Sequence, residues 1–265
     1  MNRLMLFFVA CLTWSNTFSA SPASDTLSDH IKLTLVKTVA QGNHQNVFFK
    51  LVNQKTGKPV LLDELKTVHT RRIHLLIIDQ NLNDYSHVHS HPTQEPGVYE
   101  FHWQPQNNPG NYNLWADITL NKDNQHAYLL TPLMRTSDKP AVIHRKAFAE
   151  STVDGFHFAL SFNPTSVHAG EAAMGKIMIT NSQGKPVTAL EPVMGAFAHL
   201  VGFDDDFKTV IHIHPMGKEP TKPTDRGGPL LEFHLEAEKA GFIKLFAQVK
   251  INGRELYVPF GIQVE

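Results

Sequence analysis

The chain has 265 residues, 42% of them hydrophobic and 18% charged, with a formal net charge of −1, 16 histidines and one cysteine. Charge this balanced leaves no electrostatic footprint for nucleic acid or an anionic membrane, and the apolar share exceeds that of a disordered chain. One thiol cannot close an internal disulfide, the length suits one large domain or two ordinary ones, and sixteen histidines against 24 lysines plus arginines are the compositional outlier.

In chain order, the first element is a short cationic start (Met1, Asn2, Arg3), an apolar run from Leu4 to Trp14 and a small-residue exit from Ser15 to Ser24. This is the pattern of a secretory signal peptide over residues 1–20, too short to span a bilayer, and it places the mature protein in the periplasm or outside the cell. A rival reading takes Phe8, Val9, Ala10 and Cys11 as a loose lipobox with Cys11 acylated. Ordinary cleavage removes Cys11, which excludes thiolate chemistry from the mature chain. No later segment approaches transmembrane length.

The rest of the chain reads twice. Gly57-Lys58-Pro59-Val60 returns as Gly184-Lys185-Pro186-Val187. His74, His87 and His89 return at the same offsets of 13 and 15 as His199, His212 and His214. Glu100-Phe101-His102 returns as Glu232-Phe233-His234, and the run from Gly110 to Ala116 as that from Gly241 to Ala247. This order of matches predicts a tandem duplication of about 115 residues per copy. Short segments rich in Val, Ile and aromatics, among them Ile31–Val39, Asn46–Val52, His74–Ile78, Val98–Trp103, Tyr112–Ile118, Phe156–Phe162, Lys176–Thr180, Leu245–Ile251 and Leu256–Val264, predict strands. The expected fold is all-β, with two tandem immunoglobulin-like or cupredoxin-like β-sandwich domains over 25–137 and 151–265 and a linker over 138–150.

Asp204, Asp205, Asp206 and Phe207 form a polar tip between two apolar runs, which predicts a β-hairpin. Symmetric closure there sets His199 opposite His212 and Phe197 opposite His214; closure across Asp79–Leu82 sets His74 opposite His87. Residues two apart project from one face and opposed residues share it, so three imidazoles crowd one patch in each copy. Such a cluster suits Zn²⁺ or copper. Fourth ligands are His102 in copy one and His234, Met194 or Met216 in copy two. Copy one has His69 in place of Met194, adds His91, and shows no counterpart of Met216, which predicts two differently tuned sites. Histidines packed in a core, and a proton switch that opens near pH 5–6, use the same residues without metal.

Residues 185–265, with Ala198-His199-Leu200-Val201, Ile211-His212-Ile213-His214-Pro215, Phe233-His234 and Pro259-Phe260, resemble exported bacterial proteins of the YtkA-like group, related in architecture to CopC-type copper-binding domains. The resemblance extends more loosely over 58–135. It implies a bacterial envelope protein and, by association, copper handling. The partners expected are a metal ion and another envelope protein. The function expected is transition-metal binding without catalysis; a mononuclear copper or zinc enzyme and a structural or interaction module are the alternatives.

Overall fold

The computed structural model describes residues 30–106, 110–136, 138, 140–213 and 215–265. The signal-peptide and Cys11 readings therefore lie outside the described residues, as do His214 and the side chain of His212.

The fold is all-β. In the first copy β1 (Ile31–Gln41), β2 (His44–Asn53), β6 (Val98–Trp103) and β5 (His91–Pro92) form one sheet in the order β1-β2-β6-β5. β4 (Tyr85–His89), β3 (Ile73–Asp79), β7 (Tyr112–Thr119) and β8 (His126–Met134) form the other, in the order β4-β3-β7-β8. These are the A-B-E-D and C′-C-F-G orders of an immunoglobulin-like sandwich. The second copy repeats the latter sheet with β13 (Val210–Ile213), β12 (His199–Asp204), β15 (Gly241–Ile251) and β16 (Arg254–Val264), in the order β13-β12-β15-β16. Its other sheet runs β14 (Leu230–Glu236), β11 (Ala172–Thr180), β10 (Phe156–Asn163) and β9 (Glu150–Val153).

Alternation explains the first layer of burial. Val47, Phe49 and Leu51 of β2, with Phe101 and Trp103 of β6, join Ile73, Leu75 and Ile77 of β3 in the opposite sheet and close the first core. Phe158, Ile177, Phe233, Leu245, Val258 and Phe260 do the same in the second.

Alternation then stops. Every residue of β3 and of β12 is buried, inward and outward alike. The outward residues Leu76, Ile78, Tyr85 and Trp115 of the first domain pack against Val201, Phe203, Val210 and Phe246 of the second, so the two C′-C-F-G sheets lie face to face across a third apolar layer. His74 and His199 stand one strand step beyond Leu76 and Val201 on these faces. They are 2% and 1% exposed for that reason. The continuous apolar runs in both strands are the sequence signature of this double burial.

The hairpin registers differ from the expected ones. His74 pairs with His89, and His87 with Leu76; His212 pairs with Val201 instead of His199. The cause is the aspartate that ends each first strand. Asp79 and Asp204 are still paired strand residues, and each accepts an N–H from the residue three further on, Leu82 and Phe207, at 3.1 Å. Leu82 (φ 59°) and Phe207 (φ 57°) take the left-handed conformation. In the first copy the Asp79 carboxylate also accepts the N–H groups of Asn83 and Asp84 at 2.7 and 3.0 Å. Each tip therefore begins one residue later, which shifts the pairing by two positions and leaves His74, His87, His89 and His199 on their expected faces.

One buried group in the seam lacks compensation. The Tyr85 hydroxyl has no hydrogen-bond partner among the described residues, and burial, then Tyr257, pushes its pKa well up. An unsatisfied buried hydroxyl costs about 1–3 kcal/mol. Tyr85→Phe is expected to raise unfolding stability in urea by about 1 kcal/mol; a loss of similar size shows that the hydroxyl is paired.

Candidate metal centre

The first domain brings three imidazoles together at the end of the seam. One ring nitrogen from each of His74, His87 and His89 lies within 4.8 Å of the others. Ring centroids are 5.2 Å apart for His74 and His87, 5.2 Å for His74 and His89, and 5.3 Å for His87 and His89. In a tetrahedral shell with metal–nitrogen bonds near 2.0–2.1 Å, ligand nitrogens stand about 3.3 Å apart. Modest side-chain rotation closes the remaining gap.

The hydrogen bonds decide which nitrogens face inward. His74 Nε2 lies 2.9 Å from the Val68 carbonyl oxygen. A carbonyl only accepts, so Nε2 carries the proton and Nδ1 presents its lone pair. His87 Nδ1 lies 3.0 Å from Gln248 Oε1 of the second domain. The Gln248 amide is itself oriented, because its Nε2 donates to the Glu255 carboxylate at 2.8 Å and to the Tyr257 hydroxyl at 3.3 Å. His87 therefore holds its proton on Nδ1 and turns the Nε2 lone pair toward His74 Nδ1, at 3.0 Å. Two lone pairs at that distance repel unless a cation sits between them, either a shared proton or a metal ion. An outer N–H tied to a carbonyl, with the other nitrogen directed inward, is the usual arrangement around a histidine ligand.

His89 supplies the third nitrogen. Its Nε2 is buried without a hydrogen-bond partner among the described residues. Desolvation, aided by His74, Arg71 and His91, lowers its pKa to about 4. The ring is therefore neutral at physiological pH, the form in which an imidazole can ligate a metal ion.

The second domain mirrors half of this plan. His199 Nε2 donates to the Val193 carbonyl at 3.1 Å, six residues upstream, as His74 does to Val68. Each valine opens a tight turn with reciprocal N–H to carbonyl bonds, to Arg71 at 2.8 and 3.0 Å and to Ala196 at 2.8 and 3.1 Å. Both central residues of each turn have positive φ, 44° and 71° for His69 and Thr70, 49° and 82° for Met194 and Gly195. This is the type I′ pattern that a tight hairpin requires. Val68, Val193 and Gln248 are hydrogen-bond partners of these histidines that the sequence reading misses; the repeated six-residue spacing is the available signal for the first two.

His199 of the second expected site is also a neighbour of the first. The His199 ring lies 5.9 Å from that of His87 and 5.9 Å from that of His69, so histidines of both copies form one buried cluster across the seam. Other expected ligands stand elsewhere. His102 and His234 are exposed on the far sheets, paired with Asn46 and Met174. Met216 is 50% exposed and bridges Glu232. His91 pairs with Glu100 in the same way, so the first copy does have a positional counterpart of Met216. Met194 is half-buried in its turn. The acidic tip is occupied by cations of the protein itself: Lys239 lies 3.0 Å from Asp204 and 2.7 Å from Asp206, and Arg145 pairs with Asp205.

A lowered histidine pKa links stability to pH. The unfolded chain takes a proton on His89 at about 6.5 and the folded chain at about 4, so stability is intact above about 6.5 and falls as pH drops through that window. Discounted for the ring's partial exposure, the loss is about 1–2 kcal/mol. Urea unfolding at pH 7 and pH 4.5 is expected to show a smaller difference for His89→Phe than for the wild-type chain; equal differences contradict this.

A family model described as "Domain of unknown function (DUF8832)" matches the chain twice, over residues 25–131 and 151–265. No curated protein matches the chain. Among solved structures, the FdeC adhesin of Escherichia coli is similar at 12% identity and a TM-score of 0.28, over 89% of this chain and 64% of that one. Trypsin-activated alpha-2-macroglobulin from Escherichia coli follows at 12% identity and 0.24, over 89% and 15%. A chimeric titin Z1Z2 is similar at 10% identity and 0.21, over 89% and 98%. The chain thus spans less than two thirds of the first two proteins. No helix among the described residues is long and apolar enough to cross a membrane.

Proposed function

The chain belongs to the DUF8832 family, in two copies, and from the geometry of its histidines we propose that it is an exported transition-metal-binding protein, with copper as the metal and His74, His87 and His89 as the ligands. The observation that carries this reading is the 3.0 Å approach of His74 Nδ1 and His87 Nε2, with their outer nitrogens committed to Val68 and Gln248. Packing does not require that arrangement. Two neutral histidines filling a core are better served by one ring donating to the other.

The donor set is imidazole nitrogen, favoured by Cu(II) and Zn²⁺. The resemblance to YtkA-like and CopC-type proteins supports copper over zinc, and the N-terminal pattern of residues 1–20 supports residence in the bacterial envelope. His74 and His87 are 2% and 5% exposed, which favours holding an ion over presenting it to a substrate and supports a non-catalytic role.

Titration of the purified mature protein with Cu(II) and with Zn²⁺ tests the assignment. One equivalent of Cu(II) is expected to bind, with affinity reduced at least about 100-fold in His74→Ala and in His87→Ala. His102→Ala and His234→Ala are expected to match the wild type. Equal, substoichiometric uptake by the wild type and both triad variants overturns the metal reading; tighter binding of Zn²⁺ than of Cu(II) replaces copper with zinc.

A further inference from the structure

We propose that Gln248 of the second domain is the positioning residue of the first domain's metal site, holding His87 in the tautomer that leaves Nε2 open to the ion. The proposal rests on the metal-binding reading above and names what controls the site.

Gln248 is 1% exposed in strand β15. It pairs with His199 in the adjacent strand, and its side-chain oxygen crosses the seam to His87 Nδ1 at 3.0 Å. Its amide cannot be reversed at low cost, because that would set Oε1 against the Glu255 carboxylate, now 2.8 Å from Nε2. A relay therefore runs from Glu255 through the Gln248 amide to His87, and it dictates the proton's place on the ring. Without the amide, His87 is released to the opposite tautomer. Its Nε2–H then donates to His74 Nδ1 across the existing 3.0 Å contact. That neutral hydrogen bond is self-sufficient, and it blocks the inward lone pair on each ring that the ion would use.

The repeats have diverged at this position. Asp117 is the equivalent residue of the first copy, opposite His74. It binds the exposed His126 at 2.8 Å. An amide facing His87 accepts the Nδ1 proton without the full negative charge that stabilises an imidazolium. The second domain thus supplies a neutral acceptor where the first carries a carboxylate.

Imidazole ¹⁵N–¹H NMR of the full-length apo chain tests the proposal before any metal is added. In the wild type His87 is expected as the Nδ1–H tautomer. In Gln248→Leu, which keeps the side-chain volume, it is expected as Nε2–H, and in Glu255→Ala, changed at an exposed residue that leaves the seam intact, as a mixture. Cu(II) titration of the same samples is expected to show a roughly 10–100-fold loss of affinity in Gln248→Leu and a smaller loss in Glu255→Ala. An unchanged His87 tautomer in both variants overturns the proposal, as does a switched tautomer with unchanged affinity. A tautomer switch in Gln248→Leu, alongside a wild-type chain that takes up neither Cu(II) nor Zn²⁺, upholds the relay and overturns the metal reading instead.

Discussion

The structure depends on one packing decision, which is that the C′-C-F-G sheet of each domain is apolar on both faces. A sheet in an isolated sandwich needs only one buried face, and its strands then alternate. Strands β3 and β12 do not alternate, because each closes its own core on one side and the partner domain on the other. The linker joins in: Ile143 packs against the same layer, the Val142 N–H donates to the Asn81 side chain of the first domain, and Arg145 pairs with Asp205 of the second. Burial of Trp115, Phe203, Phe246 and Tyr85 in a common layer supplies the driving force, since aromatic side chains carry the largest apolar areas.

The histidine cluster follows from the same packing. His74 and His199 occupy the outward position next after the apolar ones on strands whose outward positions are buried, so they are desolvated by the fold before any ligand is considered. Buried imidazoles are held neutral and need hydrogen-bond partners. The local solution is a tight turn six residues upstream that aims a carbonyl at Nε2, used at Val68 and again at Val193. The long-range solution is Gln248, supplied from the other domain.

Much of this was legible in the amino-acid pattern, and the gaps have physical causes. The duplication, the strands and the shared face of His74, His87 and His89 follow from period-two alternation and matched spacings, which are local properties. The exact register was not, because it turns on whether Asp79 and Asp204 end a strand or begin a tip, and the left-handed conformation of Leu82 and Phe207 has no glycine to announce it. His102 and His234 read as ligands because they lie in the repeated motif, yet their strands belong to the opposite sheet, so proximity in the motif did not become proximity in space. Gln248 was invisible as a site residue because its importance arises from a contact 161 positions away.

The seam is also assembled from corresponding residues of the two copies: Leu76 and Val201, Ile78 and Phe203, Tyr85 and Val210, Trp115 and Phe246. An interface in which each partner offers the same patch is isologous, the type that joins identical subunits about a two-fold axis. Here both patches lie within one polypeptide. Two identical subunits must keep both halves of such an interface the same, since every substitution appears twice. Fusion removes that obligation, and it lets a glutamine stand in one copy where an aspartate stands in the other.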